Sequence, residues 1–508
     1  MIKSKMIRDT MLLTLMQLAL DTAALLLNVF INRQLGGSAI GIFSLMGSFL
    51  GLAGILSNGN AFLCTSRLVS EELGRSCGSP NRVLLHGLKL CMMLSSGVSL
   101  MIVIFAEPVS SRFFSGAAVA GAVRLMPAAL LCGAAACCFK GYFNACRKAS
   151  AAAAGDILEF AVKSAVIVIL TAGTKVHTES TVCRIMILSI IAGNAVSLMF
   201  MLVMFARHRV KSTGKCSISF REYAAAAFPI MGGGVITSVL SSTNDALIPV
   251  CLRQFGDSQE QALSMFGIFE AIVIPTLFFP SVMLCSMSGM IVSEAARASS
   301  AGNRERIQSI TSRLIEYTMI YAVFAAAVLM RFGRPIGELL GGGELAGGLI
   351  SAIAPVVPFI YMEIVLEALI KGMGLQGFSS VNYLAEYVIR IAAVLILVPV
   401  TGFYGIAVSY YASNVFGNIS RLVKILRHTG VKFRLIRMLA VPVIYSALTM
   451  FTAEMIFRLF GEPEKSILSM LLFTLIWLLG YGTMICLFVN LCSEKSKKHS
   501  FVVKNTQI

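Results

Sequence analysis

Five ionisable residues stand at helical spacing inside two otherwise apolar runs of this 508-residue chain. Asp156, Glu159 and Lys163 fall within residues 151–173, and Glu386 and Arg390 within residues 378–399. In each run a Glu precedes a base by four residues, which on a helix places both side chains on one face, within pairing distance. Charge inside a membrane-length apolar run is costly and marks a functional site by default. At 1.5 Å rise per residue, both bases lie roughly 15–20 Å into their runs, near the middle of a bilayer. An ammonium at that depth can meet a phosphate, and a guanidinium can grip one with a bidentate fork. Lys163 and Arg390 are therefore candidate substrate contacts, with Glu159 and Glu386 holding them when the site is empty. The same spacing also fits two structural ion pairs that fix the helices within their bundles.

Other carboxylates fall inside apolar runs. Asp21 (run 10–32) and Asp245 (run 224–250) lie 224 residues apart and form a matched couple. A carboxylate in a low dielectric can take up a proton or hold a cation, so both are candidates for coupling transport to an ion gradient. Asp21 is also a candidate for the cavity wall. Glu270 in run 262–290 joins this coupling set. So do Glu363 and Glu367, which share a face of run 346–370 at a four-residue spacing. Asn194 and Asn414 read as interhelical hydrogen-bonding residues. The five histidines have no metal spacing, and the thirteen cysteines include no CxxC pair, so neither a metal nor a disulfide framework is expected. Without a P-loop, nucleophile elbow or HExxH, no cofactor and no enzymatic or ATP-driven chemistry is expected of this chain alone.

The elements that must position these residues follow from composition. A mean hydropathy of +0.83 with 57% hydrophobic and 13% charged residues places the chain in the membrane class. Apolar runs long enough to cross a bilayer of about 30 Å recur fourteen times, and in lipid they must be helices. The first run reads as a retained anchor and not a removed signal. The net charge of +17 suggests nucleic acid, but its distribution excludes that reading. On a fourteen-span count, 30 of the 42 Lys and Arg fall on one side, among them Arg207, Lys211, Lys215, Arg421, Lys432, Arg434 and Lys497. By the positive-inside rule that side is cytoplasmic, with both termini. Only Lys163 and Arg390 are left inside helices. The stretches 65–83 and 294–313 are longer cytoplasmic connectors, and the second has the composition of an amphipathic interfacial helix.

Short segments repeat in order at a nearly constant offset. Arg33-Gln34-Leu35-Gly36 returns as Arg253-Gln254-Phe255-Gly256, and Gly41-Ile42-Phe43 as Gly267-Ile268-Phe269. Glu159-Phe160-Ala161-Val162-Lys163 is matched by Glu386-Tyr387-Val388-Ile389-Arg390, and Pro127 by Pro355. Six spans separate equivalent positions, so both halves have the same orientation, as in parallel-repeat transporters. The reading is an all-α polytopic membrane protein of about fourteen helices: two six-helix bundles in parallel repeat plus two C-terminal helices. Its divisions are an N-terminal bundle (1–206), a cytoplasmic linker (207–223), a second bundle (224–431), helices 13 and 14 (432–491) and a cytoplasmic tail (492–508).

Leu35-Gly36-Gly37-Ser38-Ala39-Ile40-Gly41, Lys140-Gly141-Tyr142-Phe143-Asn144, Ile291-Val292-Ser293-Glu294-Ala295 and Leu369-Ile370-Lys371-Gly372-Met373-Gly374 carry a family resemblance. Through them the chain resembles the multidrug/oligosaccharidyl-lipid/polysaccharide (MOP) exporter superfamily. Within its polysaccharide-transporter branch, it resembles the SpoVB-like proteins related to the MurJ flippase. The resemblance implies a multi-pass protein of the cytoplasmic membrane that flips a polyprenyl-pyrophosphate-linked sugar by alternating access. That sugar would be a polysaccharide or peptidoglycan precursor, used in building the cell wall or spore envelope. Its implied partners are the lipid-linked glycan, membrane lipids and envelope-synthesis enzymes, with the chain a monomer. MurJ-type proteins carry arginines in their first helices, whereas here Gln17 and Asp21 occupy helix 1. The alternatives are a cation-coupled multidrug exporter of the same superfamily and, from another class, a membrane glycan polymerase or scaffold. The short loops near 107–116 and 174–183 argue against the polymerase. Reporter fusions at both termini should read cytoplasmic, with green fluorescence and no phosphatase activity; a periplasmic signal from either end would overturn the assigned orientation.

Overall fold

The computed structural model describes residues 2–73, 79–114, 119–146, 148–173, 178–209, 218–431, 436–458 and 466–505. Lys211, Lys215, Lys432 and Arg434, together with the middle of the 207–223 linker, lie outside the described residues. Among the described residues every regular element is helical and there is no strand. Backbone groups in hydrocarbon have no water to bond, so each apolar run closes its own hydrogen bonds as a helix. Among the described residues, twelve helical stretches are long and apolar enough to cross a membrane. The runs 151–173 and 402–424 also fold as long helices, α8 (Ala149–Gly173) and α18 (Phe403–Thr429). They fall short in apolarity for a chemical reason: α8 carries Asp156, Glu159 and Lys163, and α18 is rich in Ser, Asn and Tyr. The chain is thus an all-α, multi-pass membrane protein.

The helices cluster into two compact units, Met1–Val282 with Leu340–Gly342 and Ser380–Ser413, and Met283–Leu339 with Gly343–Ser379 and Asn414–Ile508. The repeat divides the sequence near residue 223; the packing divides the chain elsewhere, because two copies of a repeated segment touch. The first unit begins with α1 (Ile2–Leu35), α2 (Gly37–Asn58), α3 (Ala61–Leu73) and α4 (Pro80–Ile104). After α5 (Ala106–Phe113), the fourth span is broken into α6 (Ala120–Val123) and α7 (Met126–Ala145), with Pro127 in the first turn of α7. Next come α8, α9 (Glu179–His208), α10 (Phe220–Phe255) and α11 (Gln259–Ile268). Helix α10 starts in a capping box between Ser219 and Glu222. Beyond α11 the helix widens into a π turn, Phe269–Val273, before α12 (Ile274–Phe278) and a 3-10 turn at Pro280. Proline removes a donor and forces such breaks, and π turns collect at functional positions.

Where α2 crosses α11, the repeated glycines meet. A Cβ on Gly41 would lie 1.9 Å from the Leu263 carbonyl oxygen, and one on Gly267 would lie 2.3 Å from the Gly41 nitrogen. Small residues let membrane helices approach to backbone contact and gain packing that lipid cannot supply.

The second unit contains most of α13 (Val282–Ser300), α14 (Arg304–Leu339), α15 (Gly343–Ile353) and α16 (Val357–Gly372). A 3-10 turn at Pro355 separates α15 from α16, so the matched prolines both mark breaks. Residues 294–313 form no separate interfacial helix: α13 runs on to Ser300 and α14 restarts at Arg304. Their good helix formers extend the neighbouring spans instead. Helix α17 (Gln376–Thr401) and α18 each pass from one unit to the other. The unit closes with α19 (Val441–Phe457) and α20 (Ile467–Asn505). An aromatic cluster of Phe324, Phe332, Phe457, Phe473 and Trp477 packs these two against α14. Trp477 Nε1 donates to the Ser446 carbonyl at 3.0 Å, and Tyr481 Oη to the Ile320 carbonyl at 2.9 Å. Buried aromatics with satisfied polar ends make a firm anchor.

Overfilling the glycine crossing costs about 1–3 kcal/mol per site. Gly41→Val and Gly267→Val should each lower the apparent melting temperature of the detergent-solubilised protein. Gly289→Val, where a Cβ meets nothing within 4 Å, should not. Equal melting of all three would refute the crossing as a tight contact.

Candidate functional site

Three groups of charged residues emerge, two in the first unit and one in the second. Helices α7, α8 and α9 pack together in the first unit, with α2 against α7 and α9. They leave a cavity of about 330 Å³ lined by Gly47, Gly51, Gly54 and Asn58 of α2, Gly133 of α7, Glu159 and Lys163 of α8, and Asn194 of α9. The sequence placed Glu159 opposite Lys163, but the carboxylate takes another partner. Lys140, at the end of α7, sits 2.6 Å from Asp156 and 2.7 Å from Glu159. Its side chain is only 14% exposed, and an ammonium so buried needs the compensation that two converging carboxylates provide. Lys163 makes no ion pair or hydrogen bond among the described residues; the Phe43 ring lies 5.9 Å from it, and Glu159 acts on it electrostatically from a greater distance than on Lys140. Asn194 donates to the Ala129 carbonyl at 2.9 Å, bonding α9 to α7 as expected of an interhelical amide.

The second group surrounds Arg390. Its Nη2 lies 3.3 Å from Glu386, its Nε donates to Ser413 Oγ at 2.9 Å, and the Tyr410 ring lies 4.5 Å from the guanidinium. The pair expected along α17 is therefore present. Asp245 of α10 and Glu270 in the π turn of the eighth span both interact electrostatically with Arg390. Asp245 also accepts from Ser48 of α2, and from Asn244 Nδ2 at 3.3 Å. In the same turn, Asn28 of α1 donates to the Ala271 carbonyl at 3.0 Å. Glu386 thus pairs with the guanidinium, and two further carboxylates lie within its electrostatic reach in a buried setting. Such a surplus of negative charge suits a proton or cation better than an anion.

The third group belongs to the second unit. Arg421 of α18 is fully buried, with Nη2 3.1 Å from Glu363 and Nε 3.5 Å from Glu367. Glu367 also accepts from Ser379 and pairs with Lys371 at 3.3 Å. The shared face of Glu363 and Glu367 is as the spacing predicted, but their partner was misplaced. Arg421, expected among the bases of the cytoplasmic side, is turned into the protein and fully buried, and Lys140 is nearly so. Both lie at the ends of apolar runs, where counting cannot tell a snorkelling side chain from one turned inward. Four-residue spacing between Glu363 and Glu367 was the available signal that a base must face them. Asp21 accepts from Gln17 on its own helix at 2.9 Å, and its described contacts do not join it to the Arg390 group.

No protein-family model matches the chain. Its fold is that of transporters of the MOP superfamily. A structure of the lipid II flippase MurJ in an inward closed conformation aligns with a TM-score of 0.70 at 13% identity, covering 94% of this chain and 99% of that one. An inward-facing multidrug resistance MATE family transporter of the MOP superfamily aligns at 0.64 and 16% identity, covering 81% and 94%. In sequence the chain is similar to Stage V sporulation protein B of Bacillus subtilis (strain 168), 18% identical over 420 residues, 80% of this chain and 81% of the relative. The two solved neighbours are a transporter and a flippase.

Removing one partner of a buried ion pair leaves an uncompensated charge and costs about 3–5 kcal/mol. Arg421→Met should therefore lower the apparent melting temperature sharply, and adding Glu363→Gln with Glu367→Gln should restore much of the loss. A single variant that melts like the parent would show that Arg421 does not tie α18 to α16.

Proposed function

We propose that this protein flips a polyprenyl-linked sugar phosphate across the cytoplasmic membrane by alternating access. The two repeated halves would move against one another, with both termini cytoplasmic. The observation that carries this reading is Lys163, which lines the cavity with no ion pair or hydrogen bond among the described residues, its nearest carboxylate, Glu159, being bonded to Lys140 and acting on it only at a distance. A mid-membrane ammonium so weakly compensated favours an anionic group of the substrate. The MurJ-like fold and the similarity to Stage V sporulation protein B support a lipid-linked glycan, with a role in building the cell wall or spore envelope.

Arg390 takes a different part from the one its spacing suggested. With Glu386, Asp245 and Glu270 around it, it serves the driving ion: a proton or cation would compete with the guanidinium for these carboxylates. Glu363 and Glu367 are held by Arg421 and act in positioning α16. A second reading, export of cationic drugs, draws on the same carboxylate surplus and on the MATE-like fold.

In proteoliposomes, Lys163→Ala should slow the movement of a labelled polyprenyl-linked sugar phosphate. Loss of a charge-assisted hydrogen bond predicts a reduction of about tenfold to a hundredfold. Melting should be unchanged, since Lys163 holds no ion pair. Asp245→Asn should abolish stimulation by an imposed proton or sodium gradient. Movement unaltered in Lys163→Ala would overturn the anion assignment, and efflux of cationic dyes with no lipid movement would favour the drug exporter.

A further inference from the structure

We propose that the first-unit cavity is a subsite for a single sugar ring, with Gly51 and Gly54 setting its size. This proposal rests on the flippase reading. Gly47, Gly51 and Gly54 follow one another along one face of α2, a pattern that normally means close helix packing. Here it does not. A Cβ on Gly51 or Gly54 would meet nothing within 4 Å, and one on Gly47 would make only ordinary contact with Met186 at 3.7 Å, whereas Gly133 and Gly193 are tight. One on Gly133 would lie 2.8 Å from Asn194 Nδ2, and one on Gly193 would lie 2.8 Å from the Glu159 carbonyl oxygen. Two of the α2 glycines therefore face open space, and what they keep open is the cavity.

The polar groups around that space make a complementary set. Lys163 is enclosed by protein on most sides, yet it keeps partial accessibility and lines the cavity. It offers a cation with no ion pair or hydrogen bond of its own. Asn194 uses one amide hydrogen on the Ala129 carbonyl, and its carbonyl oxygen is left as an acceptor. Asn58 uses its side-chain oxygen on the Asn60 backbone N–H, which leaves its NH₂ as a donor. A cation, an acceptor and a donor on separate helices suit a hydroxyl-bearing ring next to a phosphate. A cavity of about 330 Å³ lies at the small end of ligand sites. Its walls enclose space for about one ring, so the sugar nearest the phosphate is the one selected.

The test compares two labelled carriers in proteoliposomes, polyprenyl phosphate with and without one N-acetylglucosamine. The proteins are the parent, Gly51→Ala, Gly54→Leu and Gly97→Leu. Gly97 is exposed on α4 with nothing near its Cβ position, and serves as the control. Gly54→Leu should lower the ratio of sugar-bearing to sugarless movement by about tenfold, the scale at which a filled pocket discriminates. Gly51→Ala, whose methyl enters empty space and cannot disturb folding, should lower it less. The control should match the parent. A ratio unchanged in both cavity variants, or both carriers falling equally, overturns the subsite while leaving the flippase reading intact. A parent that moves neither carrier overturns the reading, and the subsite with it.

Discussion

A cation placed among membrane helices must be compensated, and that requirement organises the charged residues of this protein. The cost of an unpaired charge in low dielectric far exceeds what packing can recover locally. Lys140 therefore draws Asp156 and Glu159, Arg390 has Glu386 with Asp245 and Glu270 in electrostatic reach, and Arg421 holds Glu363 and Glu367. Against that background Lys163 differs, since it makes no ion pair or hydrogen bond among the described residues and Glu159, which is bonded to Lys140, reaches it only at a distance.

The helices that carry these groups are irregular where they need to be. The eighth span departs from α geometry at Glu270 and is interrupted again at Pro280; the fourth and tenth break near Pro127 and Pro355. Each break frees backbone groups that must find another partner, as the Ala271 carbonyl does with Asn28. Glycine is used in two opposed ways on α2. Gly41 permits backbone contact with α11, while Gly51 and Gly54 hold a wall clear of side chains. The same residue type thus tightens one end of a helix and opens the other.

Much was legible in the sequence. Membrane-length apolar runs fixed an all-α, multi-pass fold, because a chain in hydrocarbon has no other way to satisfy its backbone. The spacing of Glu386 and Arg390, and that of Glu363 and Glu367, correctly placed each pair on one helical face, since helix geometry is local. The repeat of Gly41 and Gly267 was visible as a pattern. That the two copies lie against each other was not, because contact between distant segments leaves no trace in spacing.

Tertiary structure decided which partner each charge takes. Glu159 is four residues from Lys163 and nineteen from Lys140, yet it pairs with Lys140, because α7 and α8 pack side by side and bring the Lys140 ammonium between Asp156 and Glu159. Arg421, which by sequence resembles a solvated base near a helix end, is fully buried because α18 lies against the acidic face of α16. Sequence alone determined the kind of residue at each depth of the membrane and the face of the helix it occupies. The choice among neighbouring helices, and hence which base takes the direct ion pair, followed from packing, where the electrostatic cost is settled across elements far apart in the chain.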